Sequence, residues 1–317
     1  MIDLDKIKKK YAIKSVLHVF VVANSLQALL INEYIYRCGI STKSILLVDL
    51  RSIDQLSYIH NKVDIHSNIT KRFLNKYLNI DLDIIKIKKY IAKLNKNFIL
   101  YVPWNTALFH ALRKSHKCLG HVYIEEGDLS YWEKNVLCDW SNINQKELRN
   151  HVKSPAKINL FSKDCIFIIA TNFLCFPVLQ ESNKLVFENF YHISKFYSQS
   201  LTLTDRVGIL PSGHRLLGVD LIKVLKSYCK HMEKGDCLKL HPSSNNYKNL
   251  RRELSSANAK INNFFKIIEN EVILEAEMQF RSLTICGPHS SLERYAVAFG
   301  ARFIQIPELI NLQEGRS

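Results

Sequence analysis

Short unbroken apolar runs alternate along this chain with longer stretches in which apolar residues recur at helical spacing. The runs "SVLHVFVVA", "KSILLVDL", "NFILYVP", "CLGHVYIEE" and "CIFIIA" predict strands covered on both faces, because such strands carry apolar side chains at nearly every position. Between them, "SLQALLINEYIYRCG", which stops at Gly39, and "NTALFHALRKS" predict helices, and a basic amphipathic helical region spans Lys71 to Lys96. After the aromatic and polar stretch "FENFYHISKFYSQSLTLTD" the pattern restarts. There "RVGILPSGHR", "CLKLHP", "FFKIIE", "SLTICGP" and "ARFIQI" predict strands, with helices at "LGVDLIKVLKSYCKHME", after "CLKLHP" and at "SSLERYAVAFG". Strand-helix alternation of this kind builds mainly parallel sheets. The predicted fold is therefore α/β: two Rossmann-like, doubly wound domains, 1-195 and 205-317, facing a central cleft at the carboxyl ends of their strands.

Composition supports that size and narrows the partner. A chain of 317 residues with 47% hydrophobic content buries a substantial core and divides naturally into two domains. Its 44 Lys and Arg against 29 Asp and Glu leave a formal charge of +15, which favours an anionic partner: a nucleotide, a phosphorylated glycolipid, a membrane surface or nucleic acid. Nucleic acid fits least, since motifs that combine aromatic and basic residues for base stacking are lacking and "FYHISKFY" is a poor substitute. In the region 71-96, Lys71, Arg72, Lys76, Lys86, Lys88, Lys89, Lys93 and Lys96 suit a helix face to an anionic membrane leaflet, to a phosphorylated acceptor or simply to water. Eight scattered cysteines without metal or redox spacing read as reduced thiols. The start "MIDLDKIKKKYAIK" is too polar for a signal peptide, and the most apolar runs contain Asn, Gln or His and fall short of a membrane span. The expected location is cytoplasmic, with peripheral contact to the inner face of the membrane.

Three motifs stand where strands run out into loops. "VYIEEGDLSYW" places Glu125, Glu126 and Gly127 after an apolar strand; two adjacent carboxylates repel each other, which suits one of them to general-base work. A solvated acidic turn would have the same spacing. His241 and Pro242 end "CLKL": an imidazole there reaches a phosphate, and Pro242 fixes its loop, although a structural histidine reads identically. In "ICGPHSSLERYA", Ser290 and Ser291 open a helix and present hydroxyls and backbone N–H groups to an anion, or serve as an ordinary helix cap.

Taken in order, the acidic-acidic-Gly turn, the His-Pro pair and the paired serines resemble the signature of the bacterial sialyltransferases of GT-B architecture. These include the lipooligosaccharide sialyltransferases, the polysialyltransferases and a marine-type multifunctional group. "VVANSLQALLINEYI" is similar to their first strand and helix, and the resemblance runs from Val16 to Ile306. Departures are Glu-Glu in place of the commoner Asp-Asp or Glu-Asp, and the Pro288-His289 pair ahead of the serines. The resemblance implies an inverting, metal-independent enzyme that moves sialic acid from CMP-sialic acid to a hydroxyl of a surface glycan, lipooligosaccharide or capsule. In it Glu125 would be the base, with Glu126 and Gly127 supporting the turn. His241 would stabilise or protonate the departing CMP phosphate, and Ser290 and Ser291 would hold it. The backbone of Lys239 would meet the cytosine and Glu271 would grip the ribose, with Glu269 and Glu275 as rivals. No cofactor is implied, and the acidic pairs Asp3–Asp5 and Asp81–Asp83 read as solvated faces rather than metal ligands. Two alternatives stay open: a transferase for another CMP-activated sugar, Kdo or a related nonulosonic acid, and a non-catalytic basic protein that binds polyanions.

Overall fold

Strands with apolar side chains at successive positions need cover on both faces, and parallel pairing with crossover helices provides it. Every described strand pair is parallel. The computed structural model describes residues 4–10, 13, 15–49, 56, 59, 62–64, 82–103, 112–131, 164–176, 180–190, 203–241, 244, 247, 249–268 and 272–309. Two units emerge, Met1–Glu188 and Asn189–Ser317. The expected domains were 1-195 and 205-317, and residues 191–202, at the end of the first and in the gap after it, lie outside the described set.

The first unit runs α1 (Leu4–Lys10), β1 (Leu17–Val22), α2 (Ser25–Cys38), β2 (Ile45–Asp49), β3 (Lys62–Asp64), α3 (Leu82–Leu94), β4 (Phe98–Val102), β5 (Cys118–Ile124), β6 (Cys165–Ala170) and β7 (Lys184–Val186). Its sheet has the order β3-β2-β1-β4-β5-β6-β7. The order reverses between β1 and β4, and a doubly wound sheet opens a crevice at the carboxyl ends of its strands at that point. All residues of β1, β2 and β4 are buried. The short strands β3 and β7 have no counterpart in the apolar pattern; each is three residues long, begins with lysine and lies at a sheet edge. Helix α2 is buried along most of its length, Gln27, Asn32 and Glu33 included. Glu33 is accommodated by Arg37 one turn on, whose Nε donates to it at 2.6 Å. In α3, Ile87 and Ile91 face the core while Lys86, Lys88 and Lys89 are exposed; residues 71–81 of the basic region lie outside the described set.

The second unit runs β8 (Arg206–Ile209), α4 (Gly213–Leu216), α5 (Leu221–Cys229), β9 (Cys237–Lys239), α6 (Leu250–Ala259), β10 (Lys266–Ile268), α7 (Leu274–Glu277), β11 (Thr284–Gly287), α8 (Ser291–Ala298) and β12 (Arg302–Gln305). Its order, β10-β9-β8-β11-β12, reverses between β8 and β11. Helix α5 starts later than its apolar pattern does, because Asp220 caps it by accepting the Ile222 N–H at 3.0 Å. Each unit has its own apolar core, built on Val19, Val48, Leu100 and Ile168 in the first and on Leu225, Leu238, Leu254 and Cys286 in the second. Among the described residues no helix is long and apolar enough to cross a membrane.

One polar chain crosses the first core. His18 is fully buried, and its Nε2 lies 2.8 Å from the Ile13 carbonyl. A carbonyl only accepts, so Nε2 carries the hydrogen and Nδ1 accepts from the Tyr101 hydroxyl at 2.9 Å. Tyr34 O–H then lies 3.1 Å from the Tyr101 oxygen. Burial lowers the His18 pKa from 6.5 to about 4, partly opposed by the bond to Ile13. Because the folded value lies below the unfolded one, the contribution of neutral His18 to stability is complete above about pH 6.5, declines as the pH falls and levels off below about 4. At about 1.4 kcal/mol per unit, its ceiling is about 3 kcal/mol. Urea unfolding between pH 7 and 4 should show this loss, and His18→Gln, which has no titrating ring, should flatten the pH dependence in that window.

Candidate functional site

At the carboxyl edge of the first sheet, β5 delivers Glu125 and Glu126 and β6 delivers Thr171. Glu125 is 0% exposed. One carboxylate oxygen accepts the Tyr131 hydroxyl at 2.7 Å; the other accepts the Thr171 backbone N–H at 2.6 Å and its hydroxyl at 2.8 Å. Asn172 Nδ2 donates to the Tyr131 oxygen at 2.8 Å, which orients that hydroxyl toward Glu125. Burial, and then the neighbouring Glu125 charge, push the Tyr131 phenol well above its ordinary pKa, so it stays protonated as a donor. Desolvation and the same charge raise the Cys175 thiol. Tyr131, Thr171 and Asn172 were not among the candidate residues; a Thr-Asn pair directly after the apolar run "CIFIIA" was the available signal.

Glu126 is the half-buried member of the pair. Its carbonyl accepts from Asn24 Nδ2 at 2.9 Å, and its N–H donates to Ser130 Oγ at 3.1 Å. Asn24 also caps α2, accepting the Gln27 N–H at 2.9 Å, so the acidic turn is tied to the carboxyl end of β1. Gly127 has φ 144°, a backbone conformation that L side chains rarely adopt, and allows the sharp turn.

In the second unit β9 ends in Lys239, which is 9% exposed and whose carbonyl accepts the Leu210 N–H at 3.0 Å within the sheet. His241 follows, exposed, and its carbonyl accepts the Ser244 N–H at 2.8 Å. The Ser244 hydroxyl is buried with no hydrogen-bond partner among the described residues; a ligand or water reaching this loop would remove that cost. On the far side of β8, Gly287 closes β11 against Ile209: a Cβ there would meet the Ile209 side chain at 2.3 Å and its carbonyl oxygen at 2.9 Å. Ser290 then caps α8, its Oγ accepting the Leu292 N–H at 3.2 Å, and Ser291 is the first helical residue. His241, Ser290 and Ser291 therefore share one sheet edge, which also contains the switch point. Pro242, Glu269 and Glu271 lie outside the described residues. Their rival Glu275, on α7, has its carboxyl pKa raised by burial, opposed by the charge of Lys239.

The sequence matches no protein-family model and no curated protein. Among solved structures the chain is similar to UDP-GlcNAc 2-epimerase from Neisseria meningitidis bound to UDP-GlcNAc, at 14% identity and a TM-score of 0.51, covering 91% of this chain and 81% of that one. A Listeria monocytogenes protein assigned as a UDP-N-acetylglucosamine 2-epimerase gives 10% identity and a TM-score of 0.52 over 91% and 78% of the two chains. S. aureus MnaA, solved with UDP, gives 11% identity and a TM-score of 0.54 over 92% and 78%. This is the GT-B-type fold.

These neighbours overturn the resemblance to sialyltransferases. They are epimerases and a UDP complex, so CMP-sialic acid as donor, sialyl transfer to a glycan or glycolipid acceptor, the Kdo or nonulosonic alternative and membrane docking in support of that transfer are withdrawn. The polyanion-binding alternative goes with them, since these structures are of UDP-sugar enzymes. The physical reason lies in the motifs. A sharp acidic turn, a His-Pro loop and a serine cap each solve a local problem at a strand end, and any pair of Rossmann-like units offers such places in the same order.

Two measurements probe the geometry of these edges. Glu125→Gln presents an amide to donors that need an acceptor and should cost about 2–3 kcal/mol in urea unfolding, whereas Glu126→Gln should change stability by no more than about 0.5 kcal/mol. Gly287→Ala forces β8 and β11 apart and should destabilise by about 1–3 kcal/mol.

Proposed function

We propose that this protein is a nucleotide-sugar enzyme that binds a UDP-sugar at the carboxyl edge of its second sheet and epimerises the sugar. The observation that carries the reading is the sheet edge that contains the switch point between β8 and β11 and also carries His241, the buried Ser244 hydroxyl and the capped start of α8, in a fold whose solved neighbours include a UDP-GlcNAc 2-epimerase with its substrate. Helix N–H groups and imidazole are suited to phosphate oxygens, and open α/β sheets bind ligands at this edge. The reading includes metal independence, because these groups supply positive charge to a diphosphate. It also includes a cytoplasmic location, in keeping with the described cysteines, which are free thiols.

Calorimetry with UDP, CMP and UDP-GlcNAc tests the binding half. UDP should bind about tenfold or more tightly than CMP, a difference of about 1.4 kcal/mol, and EDTA should not change it. His241→Ala should weaken UDP binding by about tenfold or more, the effect of losing a charge-assisted contact. Proton NMR of UDP-GlcNAc and related UDP-sugars incubated with the enzyme tests the reaction: a new sugar epimer is expected. Equal affinity for CMP and UDP, or binding without any change in the sugar across that panel, would sink the reading.

A further inference from the structure

Gln27 has no part in the edges as described so far. It stands in the first turn of α2, directly after β1, and is 0% exposed. Its Oε1 accepts the Ala23 N–H at 2.7 Å. A backbone N–H only donates, so the oxygen of the side-chain amide is fixed against Ala23 and Nε2 is the group turned away from it. That nitrogen is buried and has no hydrogen-bond partner among the described residues. A buried N–H without an acceptor loses the bond it would make in water, and native proteins rarely leave one so. The contact with Ala23 uses only the oxygen, so it does not account for the nitrogen.

Position gives this donor its meaning. Ala23 is the first residue past β1, and β1 borders the switch point of the first sheet, the place where a doubly wound sheet takes its ligand. The amide is also held in place. The Gln27 backbone N–H donates to Asn24 Oδ1 at 2.9 Å, and Asn24 Nδ2 in turn donates to the Glu126 carbonyl at 2.9 Å. A donor fixed in this way gives up little freedom on binding. An amide nitrogen offers hydrogens and no lone pair, so its partner is an acceptor oxygen. Asp49 ends the neighbouring strand β2, in register with Val22 of β1, and is 0% exposed. An acidic residue one strand spacing away disfavours a second negative charge. An uncharged oxygen, a hydroxyl or an acyl carbonyl, meets no such repulsion, and sugars carry both.

Building on the UDP-sugar reading, we propose that the carboxyl end of β1 is a carbohydrate-binding site of the first unit, in which Gln27 Nε2 donates to a hydroxyl or acyl oxygen of a sugar.

The test is nitrogen-15 NMR of the full chain titrated with free N-acetylglucosamine, glucose and galactose. Gln27→Glu keeps an acceptor for the Ala23 N–H and removes the donor, so the side-chain amide pair missing from its spectrum belongs to Gln27. In wild type that pair should shift saturably with at least one of the sugars, and Gln27→Glu should weaken the same sugar about tenfold, the effect of one lost hydrogen bond. Gln27→Met, which loses the Ala23 contact as well, should bind no better; thermal melts verify that both variants are folded, and either one supplies the assignment if the other is not. Gln27 signals that stay in place throughout all three titrations, or a folded variant that binds the sugar as tightly as wild type, overturn the proposal and leave the UDP-sugar reading to its own calorimetry. Shifts at Gln27 in a protein that binds no UDP support the carbohydrate site and sink the UDP-sugar reading.

Discussion

In a parallel sheet every strand ends at the same edge, and this constraint organises the rest of the molecule. The loops after β1, β5 and β6 meet at one edge of the first unit, which is why Asn24 can hold the Glu126 carbonyl and Thr171 can hold Glu125 although they are distant in sequence. The loops after β8, β9 and β11 meet at one edge of the second. The close approach of Gly287 to Ile209 shows how little room that arrangement leaves: with any side chain at residue 287, the two strands bordering the switch point would have to part. Packing inside the sheet thus sets the spacing of groups that stand outside it.

Most of the architecture was legible because buried parallel strands announce themselves. "CIFIIA" coincides with β6, the apolar runs around β1, β2, β4 and β11 lie within a residue or three of the strands they predicted, and "RVGILPSGHR" starts with β8 but runs six residues past it into α4. What stayed hidden was short or carried by polar side chains. Strands β3 and β7 are three-residue edge pieces that begin with lysine, too brief for a period to show. The start of α5 was obscured because Asp220, a capping residue, lies inside an apolar pattern that continues past it. At the site, Glu125 was legible as an acid at a strand end. Its partners were not, because hydrogen bonds from Tyr131 and Thr171 depend on which loops share an edge, and that follows from strand order rather than from local sequence.

The same distinction explains how three motifs read at strand ends resembled the wrong chemistry. Glu125-Glu126-Gly127 turns a chain sharply, and in the structure the buried Glu125 carboxylate accepts from Tyr131 and Thr171. Ser290 caps a helix. Local requirements of this kind recur wherever a strand gives way to a helix, so their order along the chain reports the winding of two Rossmann-like units. Donor identity is set by groups that read base, ribose and phosphate number, which such motifs do not encode.

Charge is handled differently at the two edges. The buried carboxylate of Glu125 is met by hydroxyl and amide donors, and a charge removed from water needs such bonds to persist. These donors are committed to the protein's own anion. In the second unit the half-exposed acid Glu293 is matched to His289, and His241 stands exposed beyond β9. The excess of +15 acts at longer range, raising the local concentration of any anionic ligand without choosing among them. Choice among such ligands requires short-range contacts, and for that reason net charge could indicate the kind of partner and not the partner itself.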